Sequence, residues 1–321
     1  MSFFSILLAL LIEQARPLSP GNAVHAWVRA WLRGVVRKLD AGEMAHGWLA
    51  WSVAVCAPAV LAMLVYWLLT VLVGWPLALV WNVVVLYATL GFRQFSHHFT
   101  SIRKALDAGD EERARRLLAE WRQIDASELP QREIIRHVIE FSVLAAHRHV
   151  LGVFLWFVVL ALLGLGPAGA VVYRLAEFVV RYWPYVSRRQ APAVSEAACT
   201  AAVRAWWLMD WLPARLTALG FAVVGSFEDA IDNWRRYEAR PESAGIGGND
   251  GLIVAATAGA VNVRLGTTAM AQGDSQADMP AAAASNDPQL AHLRSVVGLV
   301  WRSVVMWMLL LALLTLARLI G

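Results

Sequence analysis

A proline and an arginine stand inside an otherwise apolar run, Trp211-Leu212-Pro213-Ala214-Arg215-Leu216-Thr217-Ala218. Hydrocarbon holds no water to satisfy a carbonyl freed by proline, or a guanidinium, so such a run survives only where protein or a wet cavity encloses it. The run predicts a broken helix inside a helical bundle. Arg215 would then either satisfy backbone carbonyls or meet an anionic ligand in a cavity. Asp210 is close enough in sequence to pair with Arg215 if the helix unwinds between them.

The rest of the chain agrees with a membrane setting. Of its 321 residues 59% are hydrophobic and 16% charged, against about 45–50% and about 25% for soluble domains. The 16 tryptophans suit interfacial anchoring. A formal charge of +4 is too small to argue for a nucleic-acid partner. Two cysteines, with no C-x-x-C or Cys/His spacing, give neither a disulfide framework nor a zinc motif. The expected location is a bacterial inner (plasma) membrane, crossed several times, with the lipid bilayer as the main partner.

The hydropathy pattern divides the chain into six stretches. Residues 1–46 hold a short apolar helix and a basic amphipathic one, Ala23 to Leu39, expected to lie at the cytoplasmic interface. Residues 47–92 form a transmembrane hairpin turning at Gly74-Trp75-Pro76. Residues 93–149 are a polar insert read as cytoplasmic helices. In it Gly109 takes a left-handed turn, Asp110 caps the next helix, and Ala114, Leu117, Leu118 and Trp121 share an apolar face. Residues 150–238 are membrane helices, broken at Gly166-Pro167 and in the Trp211 run. Residues 239–295 are Gly/Ala-rich, and within them 270–288 has no periodicity and reads as a disordered loop. Residues 296–321 are a last transmembrane helix.

Polar residues within this apolar frame are the site candidates. Arg174, Glu177 and Arg181 share one helix face by their i, i+3, i+7 spacing. Asn249, Gly251, Gly259, Arg264 and Gly266 combine small residues with an arginine. Such a run can cradle a phosphate, but close helix packing explains it better. His147-Arg148-His149 reads as a polar helix end, because positions two apart point about 200° away from each other. His97-His98 lacks the further ligands that a metal needs. No catalytic residue and no metal ligand is assigned, and the ligand-binding candidates are Arg215, Asn249, Arg264, Arg174 and Glu177.

An ordered series of motifs resembles the CobD/CbiB membrane proteins of cobalamin synthesis and their AmpE relatives. Ala105-Leu106 with Gly109-Asp110 and Ala114-Arg115 is similar to A-L-x-x-G-D…A-R. Glu133-Ile134 with Ile139-Glu140 is similar to the family's helix that leads to its acidic signature. Gly166-Pro167-Ala168-Gly169-Ala170 with Tyr173-Arg174 resembles G-x-x-G-A…Y-[KR]. Trp211 to Ala218, with Pro213, resembles W-[IV]-P-A-R-L-T-A, and Asn249 to Gly266 resembles the family's Asn-Ala-Gly stretch. The resemblance implies an all-α, polytopic helical bundle with a helical cytoplasmic insert. For the enzymes it implies amide formation between adenosylcobyric acid and aminopropanol or its phosphate, with ATP and magnesium.

The family's polar signatures, however, fall on altered residues. E-N-T-S-D-G falls on Leu144 to His149, V-N-T-x-D-S on Ala176 to Arg181, and the D-D pair on Trp206-Trp207. Hard divalent cations need oxygen ligands. The sequence therefore predicts an AmpE-like regulator or sensor that is not an enzyme, has no cofactor, and works with a membrane or cytoplasmic protein partner. The alternative is an adenosylcobinamide-phosphate synthase, and ATP and magnesium enter only with that reading. A transporter lacks a second broken helix as a repeat partner.

Overall fold

The computed structural model describes residues 2–16, 23–122, 124–189, 194–239, 246–266 and 286–320. The segment read as a disordered loop lies almost wholly outside these residues. The described chain is helical, with one isolated bridge between Val263 and Asn286. It divides into two compact units, residues 1–92 with 148–212, and residues 93–147 with 213–321. One boundary falls at 92/93. The others fall at 147/148 and 212/213, inside continuous helical runs.

The first unit opens with α1 (Ser2–Ala15) and α2 (Ala23–Leu39). α2 presents Leu32, Val35 and Val36 to a shared core and leaves its basic residues outside. The hairpin follows as α3 (Met44–Leu72) and α4 (Trp75–Thr89), with Gly74 at φ +99° between them. Only glycine takes that conformation cheaply. α8 (Gly152–Leu162) and α9 (Ala168–Arg189) form a second tight pair. A side chain at Gly169 would run into the Trp156 carbonyl, so α9 starts where the chain can pass that close. The turn docks on α3 through the Trp67 indole, which donates to the Gly164 carbonyl at 2.7 Å. The first part of α10 (Glu196–Val224) completes the unit.

The second unit contains α5 (Phe92–Asp107), α6 (Glu111–Arg122) and α7 (Gln131–Ala146). Gly109 has φ +75°, and Asp110 Oδ1 accepts from the Arg113 amide at 3.0 Å, as the sequence predicts. Ala114 and Leu118 are fully buried. The rest of α10 belongs here with α11 (Phe227–Ala239), α12 (Gly248–Val261) and α13 (Leu290–Ile320). α11 and α12 touch backbone to backbone. A Cβ at Gly259 would strike the Asp229 carbonyl, and one at Gly251 would strike the Ile246 carbonyl and the Tyr237 ring. Small residues make that approach possible.

Three helical runs are long and apolar enough to cross a membrane, Met44–Leu72, Gln131–Leu162 and Leu290–Ala317, with α1 and α4 as shorter apolar helices. The second corrects the polar-insert boundary at residue 149. The insert's third helix continues through a π-helical turn, His147–Leu151, into α8. The His147-Arg148-His149 run is therefore not a polar helix end. His147 is fully buried, and its Nδ1 lies 2.8 Å from Thr217 Oγ1. The extra residue of a π turn re-aims side chains that a regular helix would send elsewhere.

The Trp211 run is not broken either. α10 passes through Pro213, as α3 passes through Pro58. A proline in a helix leaves the carbonyl four residues earlier without its usual donor. Both orphaned carbonyls are met by an indole: Trp156 Nε1 donates to Met209 O at 3.1 Å, and Trp31 Nε1 donates to Ala54 O at 3.1 Å. Tryptophan thus supplies the hydrogen bond that proline removes at both positions.

Candidate functional site

The densest buried charge lies on α9. Glu177 is 1% exposed and bridges two guanidiniums, Arg174 Nη1 to Oε2 at 2.5 Å and Arg181 Nη2 to Oε1 at 2.5 Å. The spacing that the sequence showed is thus realised as one carboxylate between two arginines. Two guanidiniums beside one carboxylate offset the cost of burying it. Arg148 and His149 also lie within electrostatic reach of this carboxylate. Arginines therefore outnumber carboxylates here, and the cluster carries net positive charge.

One turn earlier, the fully buried Tyr173 hydroxyl donates to Asp210 Oδ1 at 2.7 Å. Gly152 leaves the space for that ring, because a Cβ there would overlap it. Asp210 is consequently engaged by α9. In an unbroken helix residues 210 and 215 also point about 140° apart, and α10 lacks the unwinding on which the Asp210–Arg215 pairing was conditional. Arg215 lies instead 3.3 Å from Glu238 on α11.

The second unit holds another buried carboxylate, Glu140 on α7. Its Oε1 accepts from the Gly266 amide at 2.8 Å, and Arg136 Nη1 donates to the Gly266 carbonyl at 2.9 Å. Arg136 also lies 3.5 Å from Glu140 and pairs with Glu133. The segment after α12 is thereby fixed on α7. Glu140 and Arg136 were not among the sequence candidates. The usable signal was a carboxylate on an apolar face, beside Ile135, Val138 and Ile139.

The Asn249–Gly266 candidates do not converge. Asn249 is buried in the first turn of α12, whereas Arg264 is exposed beyond its other end. α12 has 14 residues, so at about 1.5 Å per residue its ends lie roughly 20 Å apart. Gly251 and Gly259 serve packing against α11, and Gly266 meets Glu140. Arg264 donates its amide to Asn286 O at 3.0 Å. A phosphate cradle formed jointly by Asn249 and Arg264 is not present.

Among the described residues no three His, Cys, Asp or Glu side chains gather in a way that could hold a metal by themselves. Glu177 and Glu140 are paired with arginines, and Asp210 accepts from a tyrosine.

Helices long and apolar enough to cross a membrane, with charged groups such as Glu177 and Glu140 buried against arginines, define an all-α membrane protein. The family model described as CobD/Cbib protein matches residues 3–300, and the chain belongs to the CobD/CbiB family. It is 31% identical over 318 residues to the "Cobalamin biosynthesis protein CobD" of Stutzerimonas stutzeri (strain A1501), covering 96% of each chain. It is also 31% identical over 225 residues to the "Cobalamin biosynthesis protein CobD" of Chromobacterium violaceum, covering 70% of this chain and 67% of that one. No solved structure matches.

These relatives correct the regulatory reading. That expectation rested on altered acidic motifs and placed the chain in an AmpE-like branch. The relatives, one of them matched end to end, instead carry names from cobalamin biosynthesis.

Proposed function

We propose that the chain performs the amide-forming step of cobalamin biosynthesis. It would join the amine of aminopropanol, or of its phosphate, to a carboxylate of adenosylcobyric acid. The observation that supports this most is the alignment with a protein named for cobalamin biosynthesis over 96% of both chains. A carboxylate must be activated before an amine can displace its oxygen, and ATP with magnesium is what the resemblance implies for that role. The described side chains offer positive charge rather than metal ligands. Arg181 is 46% exposed and oriented by Glu177, which suits contact with an anionic substrate, while buried Glu177 acts as a positioning residue.

Complementation tests the reading. In a strain lacking its own amide-forming enzyme, the chain is expected to restore conversion of adenosylcobyric acid to the amidated corrinoid. Accumulation of adenosylcobyric acid, despite abundant membrane-inserted protein, would overturn the assignment.

The same reading places the protein in the bacterial inner membrane, with α2 and α6 on the cytoplasmic side. Arg29, Arg33, Arg37 and Lys38 before the hairpin, and Arg113, Arg115 and Arg116 after it, support that orientation. With Cys56 and Cys199 replaced by serine, Trp75→Cys should react with an impermeant thiol reagent in spheroplasts. Arg113→Cys should react only after lysis. The opposite pattern would invert the topology.

A further inference from the structure

Two cavities run end to end along the groove between α2 and α9. The first, about 390 Å³, is lined almost wholly by apolar side chains, among them Trp27, Trp81, Val84 and Leu175, with His25 and Arg174 as its charged or titratable members. That volume falls within the range of about 300–1,000 Å³ usual for small-molecule sites. The second, about 600 Å³ and open to the outside, is lined by Arg29, Arg33, Phe178, Arg181, Tyr182 and Tyr185. Phe178 belongs to both and forms the wall they share.

The order of residues along the two helices matters. On α2 the apolar cavity takes residues 24–28 and the basic pocket takes 29 and 33; on α9 the apolar cavity takes 171–178 and the basic pocket takes 178–185. Both helices thus advance from apolar lining to arginine lining. Three arginines and, among the described residues, no carboxylate line the open pocket. Arg181 is partly neutralised by Glu177 behind it, while Arg29 and Arg33 stand i, i+4 on one face of an amphipathic helix. Polarity therefore changes once, from a long apolar slot to a cationic mouth edged by tyrosines.

We propose that this groove is a binding site for an anionic phospholipid. One acyl chain occupies the slot beneath Phe178, and the phosphate meets Arg29, Arg33 and Arg181. Charge complementarity commits the site to an anionic headgroup, and the adjoining apolar cavity distinguishes an acylated ligand from a free phosphate. An interfacial basic helix is also where such a lipid would be available. The pocket includes Arg181, the residue proposed to meet the anionic substrate, so the test varies Arg29 and Arg33 alone among the arginines and reads lipid rather than turnover.

The full chain, purified in a neutral detergent, is titrated with phosphatidylglycerol and with phosphatidylcholine, and bound lipid is counted by native mass spectrometry. One phosphatidylglycerol should be retained where phosphatidylcholine is not. Arg29→Gln with Arg33→Gln, which spares the Glu177 cluster, should weaken retention by roughly 25-fold, about fivefold for each arginine near an anionic lipid. Ala88→Leu, in the wall of the slot, should weaken phosphatidylglycerol but leave any binding of the soluble glycerophosphate headgroup unchanged. Equal retention of both lipids, or insensitivity to the arginine pair, would overturn the proposal. Binding of inorganic phosphate that displaces the lipid and ignores Ala88→Leu would assign the pocket to a free anion instead.

Discussion

Glu177→Gln is expected to cost the first unit about 3–5 kcal/mol, the usual penalty when one partner of a buried ion pair is removed. The loss comes from what remains. Arg174, with its side chain 15% exposed, would stay buried without its countercharge. Thermal unfolding of the detergent-solubilised chain measures the change. Arg174→Met in the same background should recover part of the loss, because it removes the stranded cation. An unchanged melting temperature for Glu177→Gln would show that the cluster is not a buried pair.

The second large effect concerns the prolines. Trp156→Phe is expected to cost about 1–3 kcal/mol, since the Met209 carbonyl would lose the indole that replaces the donor absent at Pro213. Pro213→Ala should be milder, and the double variant should be more stable than the sum of the singles implies, because alanine restores an amide to that carbonyl. Trp31→Phe with Pro58→Ala is the parallel cycle on α3. Strict additivity in both cycles would show that indole and proline act independently.

These cases mark where sequence reasoning works and where it stops. The hairpin at Gly74, the turn at Gly109-Asp110 and the stop at Gly166-Pro167 were readable because each depends on a few neighbouring residues with special backbone preferences. The Arg174–Glu177–Arg181 face was readable because helical periodicity alone brings those residues together. Glu140 was missed as a site residue because its partner, the Gly266 amide, lies 126 positions away. The continuity of α10 was missed for the same reason, since the indole that meets its orphaned carbonyl comes from 53 positions earlier.

Membrane class, helical content and the local turns follow from composition and short-range pattern, where the bilayer's demand for satisfied backbone leaves few alternatives. Only the folded chain decides which carbonyl meets which indole, which carboxylate meets which guanidinium, and that Asn249 and Arg264 stand at opposite ends of one helix. Those pairings depend on distances between residues far apart in the chain, and helical periodicity carries no record of them.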